Sequence, residues 1–420
     1  MNILKDKGIF AFICSNKFTK AKYGEKLRKL ILKNQLKIFN DFTGVKVFKE
    51  ASVDTCVIQI KKDFINENEI FVNDGYYMSQ EKLDYNSFSF NSPEIINLRD
   101  KILKQGTIIK DLDIQINYGI KTGFNEAFII DEDTKNRLIE EDSNNKEIIK
   151  PLLRGRDINK WKIMYKNLYL IHSIDGLDTK NKYPSIYKFL SQYKDKLKKR
   201  YDKGRNWYNL RPCKYDNLFE KEKIIYREIS DEPNFTLDLS SYFLGNTAYI
   251  LNSDSINLKY ILGLLNSNVL FWIFKQICYN LGKKGFRFIK IFVEQLPIII
   301  NKNYEKEVIV IVEDILKLNN EIRLNEKILF SYLNENLKIK DISKKLEYFY
   351  ELNEKEFMKE IKKKIKTFDE NTLLNIFNLS KNKIQKLNKD FIIKNHELNQ
   401  IIYKIYNLNN EEIRLIEENL

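Results

Sequence analysis

Proline and glycine are distributed very unevenly along these 420 residues, and this distribution restricts the architecture more than any other feature. Five of the six prolines lie between residues 111 and 297, whereas residues 301–420 contain neither proline nor glycine. Because proline ends helices and glycine marks turns, the middle of the chain is predicted to contain short strands and short helices. Residues 301–420 instead show the apolar spacing of long helices, which predicts a helical C-terminal region.

The first part of the chain has an alternating strand and helix pattern. The apolar run at residues 8–14 predicts a strand buried on both faces, followed by a helix at 23–33 and strands at 36–42 and 55–60. This order is typical of an open α/β sheet. Run 8–14 is too apolar for an edge strand, so we expect the sheet to need further strands and this sequence to begin within a domain.

The following section is predicted to connect two domains. An Asp74-Gly75 turn between β-favouring residues indicates a hairpin. Ser92-Pro93-Glu94 then predicts the start of a helix that ends near Gly106. The predicted units are 1–63 (remainder of an α/β domain), 64–110 (hairpin and helical connector), 111–300 (mixed α+β domain) and 301–420 (helical region).

The composition favours a folded protein with a polyanionic partner. Hydrophobic residues make up 43% and charged residues 31% of the chain, and the formal net charge is +14. Lysine and arginine gain affinity for nucleic acid by releasing counterions from its phosphates. The alternative is a general preference for Lys, Asn and Ile, which raises the charge without any partner.

Several other classes of protein are disfavoured. The two histidines and four widely separated cysteines predict no metal site, no redox pair and no disulfide framework, so we expect a reducing cytoplasm. The most apolar segment, Tyr260 to Leu281, is interrupted by polar residues and is predicted as a buried helix, with no membrane partner. Acid-x-Lys matches are those expected by chance in so many Glu and Lys residues, and support no nuclease.

A basic and aromatic segment lies in the middle of the chain. Residues 182–227 contain fourteen Lys or Arg and five Asp or Glu, a net charge of +9, together with ten aromatics. Cations contact phosphates and planar side chains contact bases, so this mixture is typical of a nucleic-acid surface. Arg205, Trp207 and Arg211 are the candidate contacts. The alternative is a solvated helix face beside ordinary core tyrosines.

A second basic cluster is GKKGFRF, residues 282–288. Its glycines allow close approach to a phosphate, and Lys283, Lys284 and Arg287 are candidate DNA contacts. The alternative is a plain surface turn, and the spacing differs from that of a nucleotide-binding P-loop. The sequence also contains no glycine-rich cofactor fingerprint and no Asn-Pro-Pro-Tyr tetrapeptide.

Several blocks, in order, resemble the Type IIG restriction enzyme/methyltransferase family with TaqI-like specificity domains. They are GIFAFICSNKFTKAKYGEKLRKLIL, KVFKEASVDTCVIQIKK, NYGIKTGFNEAFIID, IIKPLLRGRDINKW, KGRNWYNLRPCKY, LLNSNVLFWIF, GKKGFRF and VEQLPI. The resemblance implies the incomplete edge of a Rossmann-like methyltransferase sheet, then a target-recognition domain.

The resemblance also implies a chemistry. In this family an α/β domain binds S-adenosylmethionine and methylates N6 of an adenine flipped out of the duplex. An aromatic residue in a Val-Phe segment packs against that base, and the corresponding residue is Phe48. The alternative is a core phenylalanine at a strand edge.

The downstream domain of the family reads the DNA sequence. Lys121, Thr122 and Asn125 lie on a glycine-flanked turn where they could meet phosphate or base edges, and Arg154 and Arg156 flank Gly155 in a similar way. The alternative is that the glycines serve a tight turn which the polar residues cap.

The sequence therefore predicts the DNA-recognition half of an adenine-N6 DNA methyltransferase of a restriction–modification system. Its partner is double-stranded DNA. The chain alone is expected to bind no cofactor, with S-adenosylmethionine binding and catalysis supplied by a complementary N-terminal chain. Two alternatives are a non-enzymatic specificity subunit and an inert product of a truncated gene.

Overall fold

The N-terminal part forms one five-stranded mixed sheet. The computed structural model describes residues 3–48, 53–63, 67–73, 75–86, 88–278 and 285–420. The strand order is β1-β3-β2-β4-β5, in which β2 and β4 are parallel and the other neighbours are antiparallel. The elements are β1 (Ile9–Ser15), α1 (Glu25–Leu32), β2 (Gln35–Asp41), β3 (Thr55–Lys61), β4 (Glu69–Val72), β5 (Tyr76–Ser79) and α2 (Pro93–Gln105).

The predicted hairpin and the predicted helix after it are present. Strands β4 and β5 pair in antiparallel fashion and extend the N-terminal sheet through the parallel pairing of β4 with β2. Residue Asp74 of the predicted turn lies outside the described residues. Helix α2 begins after Ser92 with a proline in its first turn and ends at Gly106, as predicted.

The prediction that residues 8–14 form a strand buried on both faces is wrong. Strand β1 is an edge strand that pairs only with β3 within the described residues, and Ile9 and Phe12 are 58% and 54% exposed. An apolar sequence shows only that the side chains of a strand are apolar. Their burial depends on the elements that pack against each face of the sheet. A strand with apolar residues on both faces is consequently left at the open side of this sheet.

Two cysteines that are distant in sequence meet in this sheet. Cys14 and Cys56 are directly opposite each other in the β1–β3 ladder, and their sulfur atoms are 4.0 Å apart. Burial raises the pKa of the Cys56 thiol, and that of Cys14 is raised for the same reason. The two cysteines are 42 residues apart in the sequence, so the sequence did not predict that their side chains are neighbours.

The middle of the chain is built on two four-stranded sheets with orders β16-β9-β12-β8 and β15-β13-β17-β7, plus short two-stranded ladders. Residues 107–108 pair with 297–298, so the two ends of this unit meet. The strands are β6 (Thr107–Ile108), β7 (Gln115–Tyr118), β8 (Ile129–Ile130), β9 (Ile149–Leu153), β10 (Ile158–Asn159), β11 (Lys162–Ile163), β12 (Leu168–Ile171), β13 (Lys223–Arg227), β14 (Ile229–Ser230), β15 (Thr236–Asp238), β16 (Phe243–Leu244), β17 (Ala248–Asn252), β18 (Phe286–Arg287) and β19 (Pro297–Ile298).

Short helices complete this mixed α+β unit, as the sequence predicted. Apolar side chains of these helices belong to the hydrophobic cores that cover the sheets. The helices are α3 (Asn125–Phe128), α4 (Glu132–Glu141), α5 (Thr179–Lys182), α6 (Pro184–Ser191), α7 (Lys194–Lys198), α8 (Leu258–Leu265), α9 (Asn268–Ile277) and α10 (Lys290–Val293).

The segment predicted as one buried helix from Tyr260 to Leu281 is two helices, α8 and α9. Helix α8 ends at Asn266, whose side-chain amide bonds the backbone of Phe235, and Ser267 caps the start of α9. These polar side chains satisfy backbone groups at the break, which explains their burial among apolar residues. Both helices are buried, as predicted.

The C-terminal region is helical, as predicted, and its two longest helices are antiparallel. The start of α11 shares a core with the end of α14, and the end of α11 shares another with the start of α14. None of the helices within the described residues is long and apolar enough to cross a membrane. The helices are α11 (Lys302–Glu335), α12 (Lys344–Glu347), α13 (Glu354–Lys362), α14 (Glu370–Ile405) and α15 (Asn410–Glu418).

Candidate nucleic-acid interface

The loop after β7 presents two of its three predicted contact residues to solvent. Asn125 is exposed and Lys121 is half-buried, with its ammonium 5.0 Å from the centre of the Tyr118 ring. Thr122 is buried, and its hydroxyl donates to the Asn125 side-chain oxygen over 2.6 Å. The amide nitrogen of Asn125 therefore points away from this bond and can donate to another group. DNA contact by these residues stays a prediction.

The two arginines around Gly155 are in different environments. Arg154 makes a bidentate ion pair with the buried Asp157 carboxylate, at 2.9 Å for both side-chain bonds. Arg156 is exposed and borders an open cleft of about 480 Å³ that also reaches Lys166 and Tyr348. Arg154 is thus fixed by its own loop, whereas Arg156 has a guanidinium available at the surface.

The loop at residues 201–211 carries cations and aromatic rings, and its backbone is hydrogen-bonded to the Asp175 side chain. The Arg205 side chain is 79% exposed, and its backbone N–H donates to the Asp175 carboxylate over 2.6 Å. Trp207 packs edge-on against Tyr208 and is half-buried. Arg211 is paired with the Asp202 carboxylate at 3.0 Å. The predicted residues are therefore together on one loop.

Of the second basic cluster, only Arg287 can be placed. Its guanidinium donates to the Glu228 carboxylate over 2.7 Å. Lys283 and Lys284 lie outside the described residues. Their DNA contacts, like that of Arg287, remain predictions.

The short connection between β16 and β17, with Ala248 at the start of β17, brings three of these loops together. The Gly119 N–H donates to the Ala248 carbonyl, and the Gly155 N–H donates to the Thr247 hydroxyl. The Glu228 N–H donates to the Thr247 carbonyl, which links the Glu228–Arg287 pair to the same connection. The loops that carry Lys121, Arg156 and Arg287 are thus supported by one short segment.

Close backbone packing at this connection gives a testable consequence. A Cβ atom added to Gly119 would lie 2.2 Å from the Gly245 carbonyl oxygen, whereas one added to Gly245 would meet its nearest neighbour, the Leu153 oxygen, at 3.8 Å. We expect Gly119→Ala to lower the free energy of unfolding by about 3 kcal/mol, because backbone must shift. Gly245→Ala is the matched control, with an expected loss below about 1 kcal/mol. Urea unfolding of both variants checks this, and equal losses would contradict it.

Phe48, the residue implied to stack on a flipped base, follows β2 at the surface. Its side chain is 43% exposed. It is therefore accessible to a planar ligand, and the base-stacking role stays a prediction.

Sequence reasoning missed two residues that organise the predicted loops. Arg200 belongs to a run of lysines that suggested a solvated face, yet it is 6% exposed. Asn209 lies inside RNWYNLR and is fully buried, where its amide donates to the Ser173 hydroxyl and the Leu177 carbonyl. No local signal distinguishes these residues, because the Asn209 acceptors and the Thr122 carbonyl that Arg200 binds lie 32 to 78 residues away.

Three protein families match successive parts of the chain. Residues 1–48 match the Eco57I restriction-modification methylase family, and residues 150–298 match the TaqI-like C-terminal specificity domain. Residues 301–402 match a domain of unknown function, DUF8810. The predicted resemblance to restriction–modification methyltransferases with TaqI-like specificity domains is confirmed.

Curated relatives agree with this result. The Type II methyltransferase M.BstVI of Geobacillus stearothermophilus is 20% identical over 311 residues, covering 64% of this chain and 54% of the relative. M.MjaIV of Methanocaldococcus jannaschii is 28% identical over 173 residues, covering 38% of this chain and 56% of the relative. The chain thus spans about half the length of the curated relatives it matches.

The fold resembles that of the Type IIL restriction-modification enzyme MmeI, whose structure was solved in complex with DNA. The TM-score is 0.55 at 13% sequence identity, and the match covers 98% of this chain and 49% of that one. At this identity the likeness concerns the fold. It supports the mixed architecture with a helical C-terminal region.

Proposed function

We propose that this chain, which carries a TaqI-like C-terminal specificity domain, recognises a sequence in duplex DNA for a restriction–modification methyltransferase. The single observation that carries the proposal is the family match over residues 150–298, because that family is a specificity domain. The predicted contact residues are consistent with it, since Lys121, Arg156 and Arg205 are at least partly exposed on neighbouring loops. Cations on such loops bind phosphates, and the side chains beside them read base edges.

The reaction we propose for the complete enzyme is transfer of a methyl group from S-adenosylmethionine to N6 of adenine. Among the residues that the structure describes, the groove beside β1 and α1 does not fit this cofactor. The groove beside β1 and α1 has a volume of about 230 Å³ and is lined by apolar side chains and Asn34, with no carboxylate for a ribose. We therefore assign no cofactor-binding or methyl-transferring residue to this chain.

A complementary methyltransferase segment would supply those functions. The open edge of β1 supports this, because Ile9, Phe12 and Ile13 expose apolar surface on both faces of the strand. Apolar edge strands pair readily with further strands. On this account Phe48 would stack on the flipped adenine only after the complementary segment has completed the site.

A salt titration of DNA binding tests this proposal. We expect the affinity of the purified chain for duplex DNA to fall with log salt with a slope of about −5, as for roughly six neutralised phosphates. Labelled S-adenosylmethionine should not bind in the same buffer. A flat salt dependence would contradict phosphate contact, and tight cofactor binding would contradict the assignment of the cofactor site to a complementary segment.

A further inference from the structure

Arg200 is a buried cation whose entire hydrogen-bonding capacity is used by main-chain carbonyls. An arginine side chain has five N–H donors. Nη1 donates to Thr122 at 2.5 Å and to Asp202 at 3.4 Å, while Nη2 donates to Trp207 at 2.7 Å and to Asn209 at 2.9 Å. The fifth donor, Nε, reaches the Leu197 carbonyl at 3.3 Å. Arg200 therefore has no donor left for a phosphate or a base.

The carbonyls that Arg200 binds belong to both loops of the predicted interface. Thr122 lies in the loop with Lys121 and Asn125, and Trp207 and Asn209 lie in the loop with Arg205. These loops are distant in sequence, since Arg200 and Thr122 are 78 residues apart. A single guanidinium thus joins two segments that the backbone connects only through several intervening elements.

The surroundings of Arg200 fix its position on both sides. The guanidinium lies over the Phe128 ring at 4.6 Å, and its aliphatic part would be 3.1 Å from a Cβ added to Gly123. Gly123 has a φ of +67°, which glycine adopts without strain. Burial lowers the pKa of Arg200 to about 10, so the side chain is still charged at neutral pH. Burying a charge is costly, and the five carbonyls offset that cost.

We propose that Arg200 is a positioning residue that fixes the spacing between Lys121 and Asn125 on one loop and Arg205 and Trp207 on the other. Sequence discrimination then depends on Arg200, although it does not contact DNA. Base readout needs side chains at defined distances, whereas attraction to phosphates tolerates loop movement. The inference rests on the proposed function, since it assumes that these loops meet DNA.

Arg200→Lys tests the proposal, because lysine keeps the positive charge but has three donors in place of a planar fork of five. We expect faster amide hydrogen exchange in residues 121–125 and 205–211, with strands β13 and β17 unchanged. For DNA, the probes are the duplex that the wild-type chain enriches from a random library and a scrambled duplex. The variant should bind the enriched duplex at least ~10-fold more weakly and the scrambled duplex less than ~3-fold more weakly, so that the specificity ratio falls.

The matched control is Leu138→Ala, which truncates a buried side chain of helix α4 in the same hydrophobic core but leaves Arg200 and its five hydrogen bonds unchanged. A variant that is merely less stable loses folded protein, so both duplex affinities fall together and the specificity ratio is unchanged. If Arg200→Lys behaves like this control, or exchanges like the wild type, the positioning role is overturned. Should the wild type bind no DNA, the proposed function fails, while the exchange data still decide whether Arg200 orders the two loops.

Discussion

Lys223→Met is expected to lower the free energy of unfolding by about 3–5 kcal/mol, the usual cost of removing one partner of a buried ion pair. Lys223 and Asp238 are opposite each other in the β13–β15 ladder, and both side chains are fully buried at a separation of 2.6 Å. Burial lowers the pKa of Lys223, and the nearby Asp238 carboxylate opposes this shift. Methionine would leave Asp238 with its backbone donors alone, from Ser240 and Tyr242.

The control for this prediction is Lys221→Met, two residues earlier. Lys221 pairs with Asp254 at 3.3 Å, but the two side chains are 51% and 78% exposed. Exposed pairs contribute less than about 1 kcal/mol, because solvent screens them. Urea unfolding followed by tryptophan fluorescence suits both variants, because the three tryptophans lie between residues 161 and 272, the part of the chain that contains the β13–β15 ladder. Equal losses in the free energy of unfolding for the two variants would contradict the prediction that the buried ion pair contributes more to stability than the exposed one.

Neutralising three cations on separate loops is expected to weaken DNA binding by about 100-fold at moderate salt, at about 1 kcal/mol for each lost contact. The variant is Lys121→Gln, Arg156→Gln and Arg205→Gln combined. Each side chain is at least partly exposed, and none lies in the hydrophobic core, so the fold should be retained. The slope of log affinity against log salt should become shallower by about three.

A control with the same loss of charge separates local contact from long-range attraction. Lys383, Lys386 and Lys389 are exposed on helix α14 of the C-terminal region. Changing all three to Gln removes the same net charge but none of the predicted loop contacts, and should weaken binding only a few-fold, because exposed charges without a direct phosphate contact are screened by salt. Similar losses for the two triple variants would argue against an interface at the predicted loops.

The helical C-terminal region was predictable because its signal is local. Helix α14 runs for 36 residues, and its buried side chains follow the helical repeat that the sequence displays. The absence of proline and glycine removes the residues that would interrupt it. The same reasoning located α2, whose proline lies in its first turn.

The position of β1 at the edge of its sheet was not predictable, because it depends on which strands lie beside it. Strand β1 is as apolar as a central strand, yet it has one strand partner within the described residues. Likewise the break between α8 and α9 depends on a bond from Asn266 to Phe235, which is 31 residues away. The apolar character of each segment follows from its own residues and was predicted. The strands beside β1 and the partner of Asn266 come from other parts of the chain and were not.

The candidate interface was predicted in part for the same reason. The segment that carries Arg205 was identified from its residue types, and those that carry Lys121 and Arg154 from the family resemblance. The loops of Lys121 and Arg205 are in contact through Arg200. Which arginine is buried could not be predicted, because the burial of Arg200 depends on the folded loop around it and on Thr122, which is 78 residues away, whereas Arg205 stays exposed. The roles of both in DNA recognition stay predictions.

Selection of bound duplexes from a random library tests the central claim most directly. The purified chain would be incubated with duplexes that contain a randomised segment, at a salt concentration where nonspecific binding is weak, and the bound pool would be sequenced. A chain that recognises DNA sequence should enrich one short motif over successive rounds, because each mismatched base pair costs about 1–3 kcal/mol. A bound pool as random as the starting library would contradict sequence recognition by this chain.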